Sequence, residues 1–166
     1  MCGGKWATIE PGAVPGRLLA KGRKAFLNEI VARKGKPLRR VSAAATSGLR
    51  FPDSEDRMAC REHFQAHTKK ALAGEVTMKG ADTVYPHELV KKYFGWGAST
   101  TTSDEDAMIE AQWKAIREAT AAAGGLGRAV AMSDFSGSMS GTPMEVSMAL
   151  GIHEGQRVTT GTLSWM

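Results

Sequence analysis

The sequence predicts a mainly α protein, with a helical region over about residues 1–123 followed over about 124–166 by an incomplete α/β fragment of the doubly wound kind. Three observations predict it. Four stretches before residue 123 carry helix start and stop residues around an apolar stripe. Near residue 129 the pattern changes to a short apolar run, a polar Gly/Ser loop and a new helix start, the order of a parallel strand–loop–helix unit. Too few residues then remain for the further strands of a doubly wound sheet.

The first helix is expected over about 17–33, behind Pro15 and Gly16, with Leu18, Leu19, Phe26, Leu27 and Ile30 in partial helical periodicity. Residues 34–53 are rich in Gly, Ser, Pro, Ala and Arg and read as a loop or insertion. The second helix is expected over 54–73. Ser54 suits its N-cap, Glu55 and Asp56 suit the positive end of its dipole, and Gly74 suits a left-handed stop. Cys60, Phe64, His67 and Ala71 fall on one stripe. A short helix over 86–94 starts at Pro86 and stops at Gly95. The clearest helix spans 104–122. Ser103 is its expected cap, Asp104, Glu105 and Asp106 fill its first turn, and Ile109, Trp113, Ile116 and Thr120 mark its face. Gly124 and Gly125 stop it, and no internal repeat is found.

The last unit opens with Ala129-Val130-Ala131-Met132, which reads as a buried parallel strand. The loop Ser133–Gly141 follows. Thr142 with Glu145 fits a capping box and Pro143 the first helical position, while Met144, Met148 and Ala149 make an apolar face. The tail from His153 departs from a helix continuation, and Val158–Trp165 suits one strand at most.

Charge is unevenly placed. Residues 1–50 hold eleven Lys or Arg against two Glu, a net +9; 51–100 balance; 101–166 carry −4. Arg33, Lys34, Lys36, Arg39 and Arg40 concentrate the excess, which suits a phosphate backbone such as RNA. A solvated basic loop is the competing reading, because aromatics are not interleaved. No run reaches the ~18 apolar residues needed to span a bilayer. Neither an h-region nor Gly at position 2 marks the N-terminus. Cys2 and Cys60 make no disulfide framework, so an intracellular setting with no membrane partner is expected.

The Gly/Ser loop offers Asp134, Ser136 and Ser138, one carboxylate and two hydroxyls within five residues. Such hard oxygen ligands suit Mg²⁺ or Mn²⁺. Rival motifs fail on spacing. A phosphate-binding P-loop lacks its Lys, a nucleophile elbow has Met139 where Ser is needed, and an Asp-x-Asp site has Ser136 at its second Asp. A Ser/Gly turn with a capping Asp remains open. Cys60, His63 and His67 could share a Zn²⁺, but Phe64 stands where a metalloprotease has Glu and no fourth ligand is evident, so packing is the stronger reading. Phe94, Trp96 and Trp113 read as core. No nucleophile has a base at credible spacing, so no catalytic residue is expected.

Asp134-Phe135-Ser136-Gly137-Ser138 resembles the metal-ion-dependent adhesion site (MIDAS) of von Willebrand factor A-type domains. The longer run Asp134–Gly151, with Ala25–Glu29, Val84–Val90 and Ala111–Lys114, is similar to an uncharacterised intracellular family that joins a helical region to a C-terminal A domain, in a Ro-type (TROVE-like) layout. The resemblance covers most of residues 1–152. It implies that Asp134, Ser136 and Ser138 hold Mg²⁺ or Mn²⁺, that a partner protein supplies a carboxylate to the metal, and that the chain is a metal-dependent interaction module. Complete sites take a Thr and a second Asp from later loops. The 28 residues after Ser138 contain no Asp, so the expected A domain is truncated after its first strand and helix. An RNA-associated helical protein is the alternative.

Overall fold

The computed structural model describes residues 4–30, 48–78, 83–93, 102–124 and 132–160. Among the described residues five α-helices carry the architecture: α1 (Gly16–Phe26), α2 (Glu55–Ala73), α3 (Pro86–Val90), α4 (Ser103–Ala122) and α5 (Thr142–Thr160).

Helix α1 buries Gly16, Leu19, Ala20, Arg23 and Phe26, a stripe at i, i+3, i+4, i+7 and i+10. It ends well short of the expected residue 33. Asn28 takes the left-handed conformation (φ 55°) and breaks the helical path. Its side chain explains why: Asn28 Nδ2 donates to Phe51 O (3.0 Å) and Oδ1 accepts from Phe51 N (3.1 Å). Backbone bonds from Arg50 N to Asn28 O and from Ile30 N to Gly48 O continue the pairing around a single antiparallel bridge, Glu29 with Leu49.

Helix α2 keeps its expected ends, although the Ser54 side chain makes no capping hydrogen bond and Thr68, rather than the expected His67, joins the buried stripe. Ser54 precedes it in extended backbone, and Gly74 closes it at φ 85°, its N–H returning to Ala71 O and Lys70 O. Lys114 of α4 adds a second closure, donating from Nζ to Ala71 O (3.2 Å) and Leu72 O (2.8 Å). The buried stripe is Arg57, Cys60, Phe64, Thr68 and Ala71. Phe64 stacks on Phe26 of α1 at 4.6 Å.

Helix α4 lies between two apolar clusters, so its buried face is broad. Met108, Ala111 and Ala115 join Val14, Leu19, Phe26, Leu27, Cys60 and Phe64. Ile109, Trp113 and Ile116 join Ala20, Val84, Leu89, Val90 and Ala149. Its cap is Thr102, one residue before the expected Ser103; Thr102 Oγ1 accepts from Glu105 N (3.2 Å).

Helix α5 corrects the second half of the expected fold. The described residues contain helices and no strand. Ala129–Ala131 lie outside them, and Met132, which closes the expected buried strand, is 95% exposed. Residues 158–160, assigned above to a final strand, continue α5. The incomplete α/β, von Willebrand-like fragment is therefore not what the described residues form. The physical reason is that a four-residue apolar run has no period of its own to separate strand from other structure. The apolar face of α5 finds cover without a sheet: Ala149 is buried and Met148 half-buried against α3 and α4. His153 is buried edge-on to Trp113. Glu145, expected in a capping box with Thr142, reaches Lys91 Nζ beside α3 at 3.1 Å.

Candidate functional site

Asp134, Ser136 and Ser138 do come together, on an exposed loop that ends in a 3₁₀ turn (Gly137–Met139) just before α5. Ser136 N donates to Asp134 Oδ1 (2.8 Å), and the hydroxyls of Ser136 and Ser138 meet at 3.0 Å. Helix α5 pins the loop from behind: Asp134 N donates to Ser147 Oγ (2.9 Å) and Ser133 Oγ donates to Ser147 O (2.9 Å). The backbone N–H and then the side chain of Ser136 hold the Asp134 carboxyl below its ordinary range. The donor set is chemically suited to a hard cation, with one carboxylate and two hydroxyls. It is also what an Asx turn before a helix looks like.

The zinc reading of α2 does not assemble. Cys60 is fully buried while His63 is exposed. Among the described residues no three His, Cys, Asp or Glu side chains gather as metal ligands. His67 is half-buried, and burial lowers its pKa.

Arg33, Lys34, Lys36, Arg39 and Arg40 lie outside the described residues, as do Phe94 and Trp96. The two ends of the basic segment are placed, however, by the pairing of Glu29 and Ile30 with Gly48 and Leu49. Next to that junction is a cavity of about 410 Å³, lined by Trp6, Arg50, Phe51, Ser54, Asp56 and Arg57 among others. The sequence reading passed over it, because Trp6 and Arg57 are far apart along the chain and only the fold joins them.

The cavity is built from three segments. Arg57, on the first turn of α2, lies with its guanidinium 3.6 Å from the Trp6 ring centroid and 5.4 Å from that of Phe51. Its Nη2 donates to Ala25 O at the end of α1 (2.5 Å), and its Nε is buried without a hydrogen-bond partner. Arg50 stands over Phe51 at 5.1 Å. The carboxylate in the wall is already engaged: Asp56 accepts from Trp6 N (2.9 Å) and Ala7 N (2.8 Å), bonds that hold its pKa down. Among the described residues neither Arg50 nor Arg57 is in an ion pair. The wall thus presents two guanidinium groups, ring faces and one hydrogen-bonded carboxylate.

A second polar cluster was also missed, and it is structural. Glu105, fully buried in the first turn of α4, sits 3.7 Å from Arg23 Nε, 3.5 Å from Lys24 Nζ and 3.8 Å from Lys92 Nζ. Arg23 Nη1 donates to Gln112 Oε1 (3.0 Å), and Gln112 Nε2 donates to Gly16 O (3.3 Å). Burial lowers the Arg23 pKa and Glu105 offsets part of that.

Comparison with known proteins is sparse. No family model and no solved structure matches the chain. Over 78 residues, 47% of this chain, it is 41% identical to an uncharacterised protein of Acanthamoeba polyphaga mimivirus. The chain spans about 12% of that relative's length. With helices alone among the described residues and no family match, the resemblance to a von Willebrand A domain with a Ro-type layout is overturned. Five residues of Asp-x-Ser-x-Ser describe a turn that many folds make, and they do not carry a fold with them.

Proposed function

We propose that the chain is a binding protein, without catalysis, whose basic N-terminal third associates with RNA through the phosphate backbone. The observation that carries the reading is the pair Arg50 and Arg57. Neither is ion-paired among the described residues, and both line an open cavity where the ends of the basic segment meet. Cations outside any ion pair among the described residues, close along the chain to a segment holding Arg33, Lys34, Lys36, Arg39 and Arg40, suit a polyanion. An intracellular setting fits, since there Cys60 stays a free thiol. Among the described residues no helix is long and apolar enough to cross a membrane.

The test is RNA binding as a function of salt. Affinity should fall steeply, and neutralising Arg39 and Arg40 together should reduce the log–log slope by about 1.4, at about 0.7 for each single-strand phosphate contact. Absence of binding at low salt sinks the reading.

The meeting of Asp134, Ser136 and Ser138 favours a second reading, a Mg²⁺- or Mn²⁺-dependent protein interaction. Those three residues would hold the ion. The ion would supply an electrophilic point for a partner's carboxylate, and water would fill the remaining positions. Calorimetric titration with Mg²⁺ and Mn²⁺ tests it. Saturable heat that is lost in Asp134→Ala supports a cation site. Equal heats in both proteins leave the loop as a turn.

A further inference from the structure

We propose that the cavity between Trp6, Arg50, Phe51 and Arg57 takes one unpaired nucleotide of a single-stranded RNA, its base on the exposed ring of Phe51 and its phosphate on Arg50. The inference rests on the RNA reading above and deepens it, because charge alone would not distinguish paired from unpaired RNA.

Trp6 is covered on one face by the Arg57 guanidinium and meets Phe26 edge-on at 6.3 Å, so it belongs to the wall. Phe51 is 43% exposed, with the Arg50 and Arg57 guanidinium groups 5.1 and 5.4 Å from its ring centroid, so a flat partner can reach only the part of the ring they leave open. Its backbone is locked on both sides, by Phe51 N to Asn28 Oδ1 and by Asn28 Nδ2 to Phe51 O. The ring is therefore presented from a fixed strut, and little order is lost when a flat partner lands on it.

The chemistry of the wall then selects the partner. A guanidinium beside an aromatic face offers stacking and charge at once, which is the combination that binds a nucleobase with its phosphate. Arg50 is exposed and Arg57 buried, and both line the cavity. Asp56 is ionised and offsets part of the Arg57 charge, while both its oxygens are held by backbone N–H groups, which leaves Arg50 as the exposed cation. The volume of about 410 Å³ lies in the range of small-ligand sites. A base held in a duplex has both faces covered by its neighbours and cannot enter.

Fluorescence anisotropy of the full chain with a labelled RNA of about twelve nucleotides, alone and annealed to its complement, tests the inference. The single strand should bind more tightly. Phe51→Ala should weaken it about tenfold with little effect on the duplex, while Phe51→Tyr, which keeps the ring, should hold affinity. Circular dichroism of each variant separates lost binding from lost fold. Equal affinity for strand and duplex, with Phe51→Ala unchanged, overturns the nucleotide pocket and leaves the phosphate-binding reading standing. Binding of neither form overturns both. If adenosine monophosphate alone binds as tightly as the strand, the pocket belongs to a free nucleotide and the strand assignment fails.

Discussion

Glu105 and Arg23 are among the most buried side chains of the described chain and lie 3.7 Å apart, and Glu105 is also 3.5 Å from Lys24 and 3.8 Å from Lys92. Removing one partner leaves the other charge in a poor solvent. Glu105→Ala should therefore cost about 3–5 kcal/mol of stability in urea denaturation. A double replacement by apolar residues of similar size, Arg23→Met with Glu105→Leu, should recover most of the loss. A cost under about 1 kcal/mol for Glu105→Ala would mean that water reaches the pair. Nearby Glu29 is a different case. It accepts a hydrogen bond from Thr102 Oγ1, yet burial pushes its carboxyl above the usual range, helped by the charge of Glu105. The folded chain then holds that proton more tightly than the unfolded chain does. The charged form costs stability above the folded pKa, and the cost disappears below the unfolded value of about 4.3. Glu29→Gln, which keeps an acceptor for Thr102, should raise the urea midpoint at pH 7, with the gain shrinking toward pH 4. A gain that grows on acidification would contradict this sign.

At the scale of the element, end signals written next to the helix were legible and those written elsewhere were not. Gly74 closes α2 as its position suggested, in a left-handed conformation with φ 85°. A Cβ there would also stand 3.4 Å from Lys114 Nζ, so Gly74→Ala should lower stability by about 1 kcal/mol in thermal denaturation. Asn28, which stops α1, was invisible because its partner Phe51 lies beyond the whole basic segment. The broad buried face of α4 was half legible. Ile109, Trp113 and Ile116 repeat in the expected way and face the second cluster, but Met108, Ala111 and Ala115 face the first, which periodicity does not announce. Phe64 joins the first cluster through its stack on Phe26, and Phe64→Ala should cost about 3–5 kcal/mol by the same measurement.

For the whole molecule, the two clusters meet across α4, and α5 contributes only to the second. Ala149→Asp would bury a charge against Val90, Trp113 and Ile116. Amide exchange should then speed up in α5 and α3, while α1 and α2 keep their protection. Uniform loss of protection would show that the helices open as one unit. The same scale explains what was unreadable in the candidate sites. Asp134, Ser136 and Ser138 are local, so their meeting was foreseeable, whereas the fold assigned around them was borrowed from resemblance. Trp6 and Arg57 become neighbours only when the N-terminal stretch crosses the start of α2, where Asp56 takes the N–H groups of Trp6 and Ala7.

The pairing of Glu29 with Leu49 has an engineering consequence. Its hydrogen bonds fasten residues 30 and 48 to one another, so the seventeen residues between them begin and end at nearly one point. The closure entropy of a flexible loop depends on the logarithm of its length, and doubling the length costs only about 0.6 kcal/mol. Related chains can thus differ widely in this stretch without disturbing the helices. A fluorescent protein or an affinity tag spliced at this position should leave the melting temperature almost untouched.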